Sequence, residues 1–282
     1  MKHITIIGCG LIGGSFAALV KKFHQNCHLL GIGRRKDPLE TAIKEGIIDE
    51  YELNISTNKL ESTDLIILAT PISTILPTIE KLTKNISKPL TIVDFSSVKS
   101  FLDHPIVNSS HHDIIALHPM GGREVQGLEN ASAAVLEGCP LITFDKNPES
   151  KINSFFKSCH FNLVYCASFK EHDEWMTFIS HGPYLVAGLI PILLSQKTEN
   201  ELTSLNKISA GGFKDTTRVI GSPVEWGLDI LAGNKGPLLD FLNNIEKTIS
   251  KLKQQLNNND LNELETTLKK AKKTRQIIVD GK

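Results

Sequence analysis

Ile4-Thr5-Ile6-Ile7-Gly8-Cys9-Gly10-Leu11-Ile12-Gly13-Gly14-Ser15 is the stretch on which the fold reading turns. A short β-rich run from His3 to Ile7 enters a Gly-x-Gly-x-x-Gly turn, and apolar residues at helical spacing follow to Phe23. Strand, glycine turn and helix in that order make a cradle for a pyrophosphate. Gly8 permits the tight turn, Gly10 lets backbone N–H groups approach the anion, and Gly13 lets the helix pack closely on the strand. The helix start at Leu11 and Ile12 turns its partial positive charge toward the anion.

The dinucleotide pattern places an acidic residue ~20 residues downstream to hold the ribose hydroxyls. Here the second strand ends in Gly31-Ile32-Gly33-Arg34-Arg35, so a glycine stands where the carboxylate would be. A carboxylate repels a 2′-phosphate, whereas guanidinium groups pair with one. The cofactor expected from Arg34 and Arg35 is therefore NADP, with NAD as the alternative.

Outward from this turn, the first half alternates short β-rich runs with helical patterns. His28–Gly33, Asp64–Ala69, Leu90–Phe95, Ile114–Leu117, Pro140–Phe144 and Leu163–Cys166 read as strands, and Pro71 opens a helix running to about Lys84. Such alternation predicts an α/β fold built on a doubly wound parallel sheet. From about Ser168 the β-rich runs stop and helical periodicity takes over. Leu185–Leu194 is apolar nearly all round and must be buried, in its own domain or against a second subunit. Pro183 and Pro191 are expected to bend or break that helix. The expected domains are residues 1–167 and an all-helical 168–282, with the active site in the cleft between them.

The 282 residues balance 31 basic against 31 acidic side chains. A general nucleic-acid binder carries a basic surplus, because phosphate neutralisation supplies most of its affinity, so no nucleic-acid partner is expected. The longest apolar stretch read from the sequence is half the ~20 residues of a membrane span, and Pro191 interrupts it, so no membrane partner is expected either. The N-terminal apolar run leads into the glycine turn rather than a cleavage site. Five cysteines show no CxxC pair and no metal-ligand spacing, so no metal is expected. Reduced thiols in a cytoplasmic protein are the expectation.

Three clusters carry chemistry: Asp94-Phe95-Ser96-Ser97-Val98-Lys99, His118-Pro119-Met120-Gly121-Gly122-Arg123-Glu124, and Phe213-Lys214-Asp215-Thr216-Thr217-Arg218. With the opening GCGLIGGS, the dipeptide Thr70-Pro71 and the EHDEWMTFISH segment, they make the chain resemble the prephenate/arogenate dehydrogenase family over essentially its whole length. The resemblance implies a Rossmann-type domain followed by a helical dimerisation domain, hence a homodimer. It implies an NAD(P)-dependent oxidative decarboxylation in tyrosine biosynthesis, in which a cyclohexadienol, arogenate or prephenate, gives up hydride from C4 and CO2 from C1. No fused mutase or regulatory module is expected in a chain of this length.

Within that resemblance His118 matches the catalytic histidine that accepts a hydrogen bond from the substrate 4-hydroxyl. An unperturbed imidazole, titrating near ~6.5, suits a base at neutral pH. Ser97 matches the serine that bonds this histidine or the substrate hydroxyl; an N-cap is its plainer role. Arg218 matches the arginine for a substrate carboxylate, and Glu124 an acidic residue in an ionic network at the site mouth. Thr70 and Pro71 fall in the cofactor-binding set. His181 is expected to turn toward the pocket at the bend before Pro183. Tyr184 stands where many prephenate-using relatives have a second histidine, which favours acceptance of arogenate. His172-Asp173 reads as helix-start structure. Two rivals remain: another NADP dehydrogenase of similar build (β-hydroxyacid or imine type) and a non-catalytic dinucleotide sensor. Against the β-hydroxyacid type, the GxxxKxxxN setting those enzymes use does not occur on the equivalent helix, which offers His181.

Overall fold

Eight strands form one sheet in the computed structural model, which describes residues 1–281. They are β1 (His3–Ile7), β2 (His28–Ile32), β3 (Glu50–Glu52), β4 (Leu65–Leu68), β5 (Thr91–Asp94), β6 (Asp113–Pro119), β7 (Pro140–Thr143) and β8 (Asn162–Tyr165), in the order β3-β2-β1-β4-β5-β6-β7-β8. The first six are parallel, and five of them, all but β3, are strands the sequence predicts. β7 departs from the expected parallel sheet: it runs antiparallel to β6, and β8 then runs parallel to β7. The reason lies in the connection. Only short 3₁₀ turns, Leu128–Asn130 and Ala133–Val135, lie between β6 and β7. A parallel return needs a crossover, usually a helix, to carry the chain back along the sheet. The three-residue edge strand β3 reads Glu-Tyr-Glu and has no apolar run to announce it.

Helices α1 (Leu11–Phe23), α2 (Lys36–Lys44), α3 (Thr57–Leu60), α4 (Ile72–Asn85), α5 (Pro105–Asn108) and α6 (Lys151–Ser158) connect the strands. Alternate residues of the central strands enter two different cores. Ile4, Ile6, Leu65, Ile67 and Val93 belong to one, and Ile7, Ile66, Leu68 and Ile92 to the other. Both faces of the parallel sheet are thus covered, which is why its strands read as continuous apolar runs. All five cysteines are free. Burial pushes the Cys9 and Cys159 thiols up to about 12, so both stay protonated core groups.

Beyond the sheet come α7 (Phe169–Met176), a π-helical turn at Thr177–His181, and α8 (Gly182–Leu194). The bend expected at Pro183 takes the form of that π turn, with Pro183 in the first turn of α8. Pro191, in contrast, lies inside α8 without breaking it. The continuous helical run Phe169–Leu194 has 26 residues and is long and apolar enough to cross a membrane by length and composition alone. That corrects the span length read from the sequence, which counted only from Leu185 and missed the junction with α7. Then follow α9 (Glu199–Ile208), α10 (Gly211–Thr217), α11 (Val224–Gly233), α12 (Lys235–Asn257) and α13 (Leu261–Asp280).

Compactness divides the chain into Met1–Lys235 and a unit from Gly236 onward. Helices α7–α11 therefore group with the sheet, and residue 167 lies inside the first unit. Direct ties account for this: the Asp229 carboxylate of α11 accepts the Ile72 N–H at the start of α4, at 3.0 Å. In the second unit α12 and α13 are joined by Gln255 Nε2 donating to Thr267 Oγ1 at 3.2 Å and by a Lys251–Glu263 ion pair.

Phe16 of α1 is fully buried, its ring centroid 5.2 Å from that of Phe95 after β5 and 5.6 Å from that of Phe156 on α6. One ring thus fastens the phosphate-turn helix to both halves of the sheet. Phe16→Ala should cost about 3–5 kcal/mol in chemical denaturation, the range for a buried aromatic truncated to Ala. A loss below about 1 kcal/mol would show that the cluster refills and does not hold α1.

Candidate active site

The glycine turn has the geometry its sequence predicts. Gly8 sits at φ +95°, and a Cβ there would lie 2.6 Å from the Ala69 carbonyl. A Cβ on Gly13 would lie 2.4 Å from the Gly8 carbonyl oxygen, so β1 and α1 approach as closely as only glycine allows. Gly10 differs, because a Cβ there meets nothing within 4 Å. That open space beside the N-terminus of α1, where Leu11 and Ile12 begin the helix, fits a dinucleotide pyrophosphate.

At the ribose end Gly33 also has room: a Cβ would make only ordinary contact with Leu39. Its glycine is therefore not forced by packing. Arg34 and Arg35 are both exposed, and Arg35 pairs with Glu129 at 3.3 Å. Thr70 accepts a hydrogen bond from Thr74 at 2.8 Å, and Pro71 caps the start of α4.

His118, one residue from the end of β6, is buried. Its Nδ1 lies 2.9 Å from Nε2 of His172 on α7. His172 Nδ1 in turn lies 2.7 Å from Asp173 Oδ1. The same carboxylate accepts the backbone N–H of Lys99 and of Ser100, each at 2.9 Å. Asp173 thus joins α7 to the loop after β5, and through His172 to β6. Asn234, which ends α11, adds a third connection. Its amide donates to the Asp173 carbonyl at 2.8 Å and to Thr177 Oγ1 at 3.0 Å, and meets His181 Nδ1 at 3.0 Å.

Beneath this network Lys99 is wholly buried and paired with Asp94, which also accepts from the Ser96 hydroxyl at 2.7 Å. Burial lowers the Lys99 ammonium from its usual range, and the Asp94 carboxylate opposes that shift. Burial, then the neighbouring His172, Lys99 and His181, hold His118 well below an ordinary imidazole. His172 is lowered by burial against the pull of Asp173. Burial also takes His181 down to about 4, with Asp173 opposing, and its Nε2 has no well-formed hydrogen bond. A buried ring whose Nδ1 accepts from Asn234 must carry its proton on that Nε2.

The network gathers His118 and His181, and the backbone of the loop that holds Ser97. Ser97 itself is half-buried and makes no side-chain hydrogen bond among the described residues. Of its expected roles, the helix cap and the hydrogen bond to His118 are not formed among the described residues, and a bond to the substrate hydroxyl is left. Arg218 and Glu124 are brought together as an ion pair, with the arginine side chain 61% exposed. Tyr184 is buried, edge-on to Trp226 with centroids 5.4 Å apart, and its hydroxyl lies against Gly227. Sequence reasoning missed Asn234 altogether and took His172-Asp173 as helix-start structure. The adjacent His-Asp pair at a helix start was the visible signal, but only its position beside β6 gives it a partner.

Family models for "Prephenate dehydrogenase, nucleotide-binding domain" and "Prephenate dehydrogenase, dimerization domain" match residues 16–159 and 168–270. The chain belongs to the prephenate dehydrogenase family. A prephenate dehydrogenase of Bacillus subtilis is 29% identical over 95% of this chain and 74% of its own length. A cyclohexadienyl dehydrogenase of Zymomonas mobilis is 25% identical over 98% of this chain and 96% of its own. Among solved structures, prephenate dehydrogenase of Aquifex aeolicus in complex with hydroxyphenyl propionate and NAD+ superposes with a TM-score of 0.85 at 28% identity, covering 99% of this chain and 98% of that one. Arogenate dehydrogenase of Synechocystis superposes at 0.77 with 27% identity, covering 98% and 100%.

Three buried histidines with lowered values make stability depend on acid. Below about pH 6.5 the unfolded chain binds protons that the folded rings refuse, so unfolding becomes easier as pH falls. For His181 the effect grows until pH reaches its folded value of about 4. Urea midpoints should therefore drop steadily from about pH 7 to about pH 5, and His181→Asn should flatten that slope. A slope identical in variant and parent would mean that His181 titrates normally in the fold.

Proposed function

We propose that this protein catalyses the oxidative decarboxylation of a cyclohexadienol, arogenate or prephenate, in tyrosine biosynthesis, with His118 as the base. The observation that carries this reading is a buried, uncharged His118 whose Nδ1 is already occupied by His172. The ring's Nε2 is then the atom left to accept the proton of the substrate 4-hydroxyl. A bound nicotinamide dinucleotide supplies the acceptor for the hydride that leaves C4. Loss of CO2 and aromatisation make the reaction downhill, so alignment and one placed hydrogen-bond partner are the main demands on the protein.

Arg218 exchanges Glu124 for a substrate carboxylate, a planar cation being suited to that group. The His181 Nε2–H and the free Ser97 hydroxyl supply further hydrogen bonds to bound substrate. Tyr184 offers a neutral hydroxyl and an aromatic face in place of an ionisable ring. It does not repel an ammonium group, which favours acceptance of arogenate at least as readily as prephenate. The cofactor we infer is NADP, held at Gly8, Gly10 and Gly13 with its 2′-phosphate on Arg34 and Arg35.

On α8, Ile192 and Leu193 are 62% and 68% exposed in the single chain. An apolar face of that kind, on a helix that also follows buried His181, suits a second copy better than a lipid bilayer. We therefore read the protein as a cytoplasmic homodimer without membrane or nucleic-acid partners, its Rossmann-type domain giving way near residue 168 to the dimerisation domain.

The direct test is the appearance of reduced cofactor with each substrate against NAD and NADP. His118→Asn should keep the fold and lower kcat by roughly 10²–10⁴, with far less change in KM. Normal turnover in that variant would remove His118 from the chemistry. Arg34→Ala combined with Arg35→Ala should weaken NADP by roughly 1.5–3 kcal/mol for each charge-assisted hydrogen bond removed, and leave NAD nearly unchanged. Equal small effects on both cofactors would return the two arginines to solvent.

A further inference from the structure

A base must present a lone pair, and a neutral imidazole has only one. Which nitrogen of His118 carries it depends on what the other nitrogen bonds. The hydrogen bonds behind His118 decide the matter by donor and acceptor counting. An ionised carboxylate only accepts. Asp173 Oδ1 already takes the Lys99 N–H and Oδ2 the Ser100 N–H, each at 2.9 Å. His172 Nδ1, 2.7 Å from Oδ1, must therefore donate to it. A neutral His172 then has its lone pair on Nε2, and among the described residues the group that meets this atom is His118 Nδ1 at 2.9 Å. His118 must donate there, which puts its own lone pair on Nε2.

We propose that His172, clamped by Asp173, is a positioning residue that locks His118 in the Nδ1–H tautomer and so keeps Nε2 open as the base. The assignment rests on the reading of His118 as that base and adds how its competence is maintained. In water a neutral histidine prefers the opposite tautomer, with the proton on Nε2, which could donate to the substrate hydroxyl but not accept from it. When the 4-hydroxyl O–H bond breaks, its proton goes to His118 Nε2. The Nδ1–H bond stays intact, and the new imidazolium still donates to His172. In serine proteases, replacing the carboxylate that holds the catalytic histidine by an amide gives the wrong tautomer and lowers kcat by about 10⁴.

The other charged and titratable groups near the relay leave the counting unchanged. Lys99 Nζ is engaged by Asp94, from the β5 side. His181 is engaged through Nδ1 by Asn234, and no hydrogen bond joins it to His118. His172 is wholly buried, so no water replaces the bond if it is removed. Asp173 also fixes the two backbone groups that follow Ser97 and Val98. The same carboxylate thus sets the base and the loop that carries the serine.

The decisive measurement is the ¹⁵N spectrum of the histidine-labelled wild-type enzyme at neutral pH. We expect a protonated, pyrrole-type Nδ1 and a pyridine-type Nε2 for His118, assigned by their loss in His118→Asn. A protonated Nε2 in the wild type overturns the proposal whatever the variants do. His172→Phe keeps a ring but removes the acceptor. It should move the His118 proton to Nε2 and lower kcat by roughly 10–100-fold, with KM changed less than about twofold. His172→Gln, whose Oε1 can accept from His118 Nδ1, should recover much of both the spectrum and the rate. A His172→Phe enzyme with wild-type kcat, or one that loses kcat with the His118 tautomer unmoved, refutes the positioning role. Failure of the parent reading is separate: it shows as a fully active His118→Asn.

Discussion

The Asp173 carboxylate is the point on which the site depends. It sits on α7, yet its two oxygens take up backbone N–H groups of the loop after β5 and the ring of His172, which reaches β6. Burial would raise a lone carboxylic acid, but hydrogen bonds from His172 and from the Lys99 and Ser100 backbone hold Asp173 below its usual value. Charged, it makes demands that only donors can meet. Those donors come from the loop after β5, more than seventy residues away, and from the neighbouring ring of His172. Removing the charge would leave them without a common partner, so the loop, the helix and the ring of His118 are fixed through one group.

Much of this was legible in the chain. The glycine turn, five of the six parallel strands and the change to helices near residue 168 follow from periodicity and composition, because a sheet covered on both faces needs continuous apolar runs. β3 was not legible: Glu50-Tyr51-Glu52 becomes a strand only by pairing with β2 at the sheet edge. Nor was the reversal of β7, which depends on what the connection after β6 lacks. In the site, His118 was legible as a candidate from its HPMGGRE setting, and the structure buries it at the centre of the network. His172 and Asn234 were not, since their meaning is a distance to a residue more than fifty positions away. Ser97 differs: its motif is present, but its hydroxyl has no protein hydrogen bond among the described residues, which leaves the substrate hydroxyl as the partner the resemblance implies.

The π turn at Thr177–His181 links the two helical requirements. Without it the run from Phe169 would continue as one regular α-helix, carrying His172 and His181 at plain helical spacing. With it, Thr177 Oγ1 and the Asp173 carbonyl are both within reach of Asn234, and His181 is turned into the same buried group. π turns often occur at functional sites, where they re-aim side chains at the expense of regular bonding. Pro183 stabilises the restart of α8 because a proline in the first turn forfeits no helical hydrogen bond.

The proposed role of His118 requires that it be an uncharged base in the resting protein. The pH dependence of wild-type kcat/KM, at saturating cofactor, tests that most directly, since it reports the ionisation of groups needed in the enzyme before substrate binds. The structure places His118 well below an ordinary imidazole, so activity should stay level as pH falls through about 6.5 and decline only in more acid solution. An acid limb centred at about 6.5, which disappears in no variant but His118→Asn, would show an ordinary, solvent-titrated histidine and contradict the buried relay.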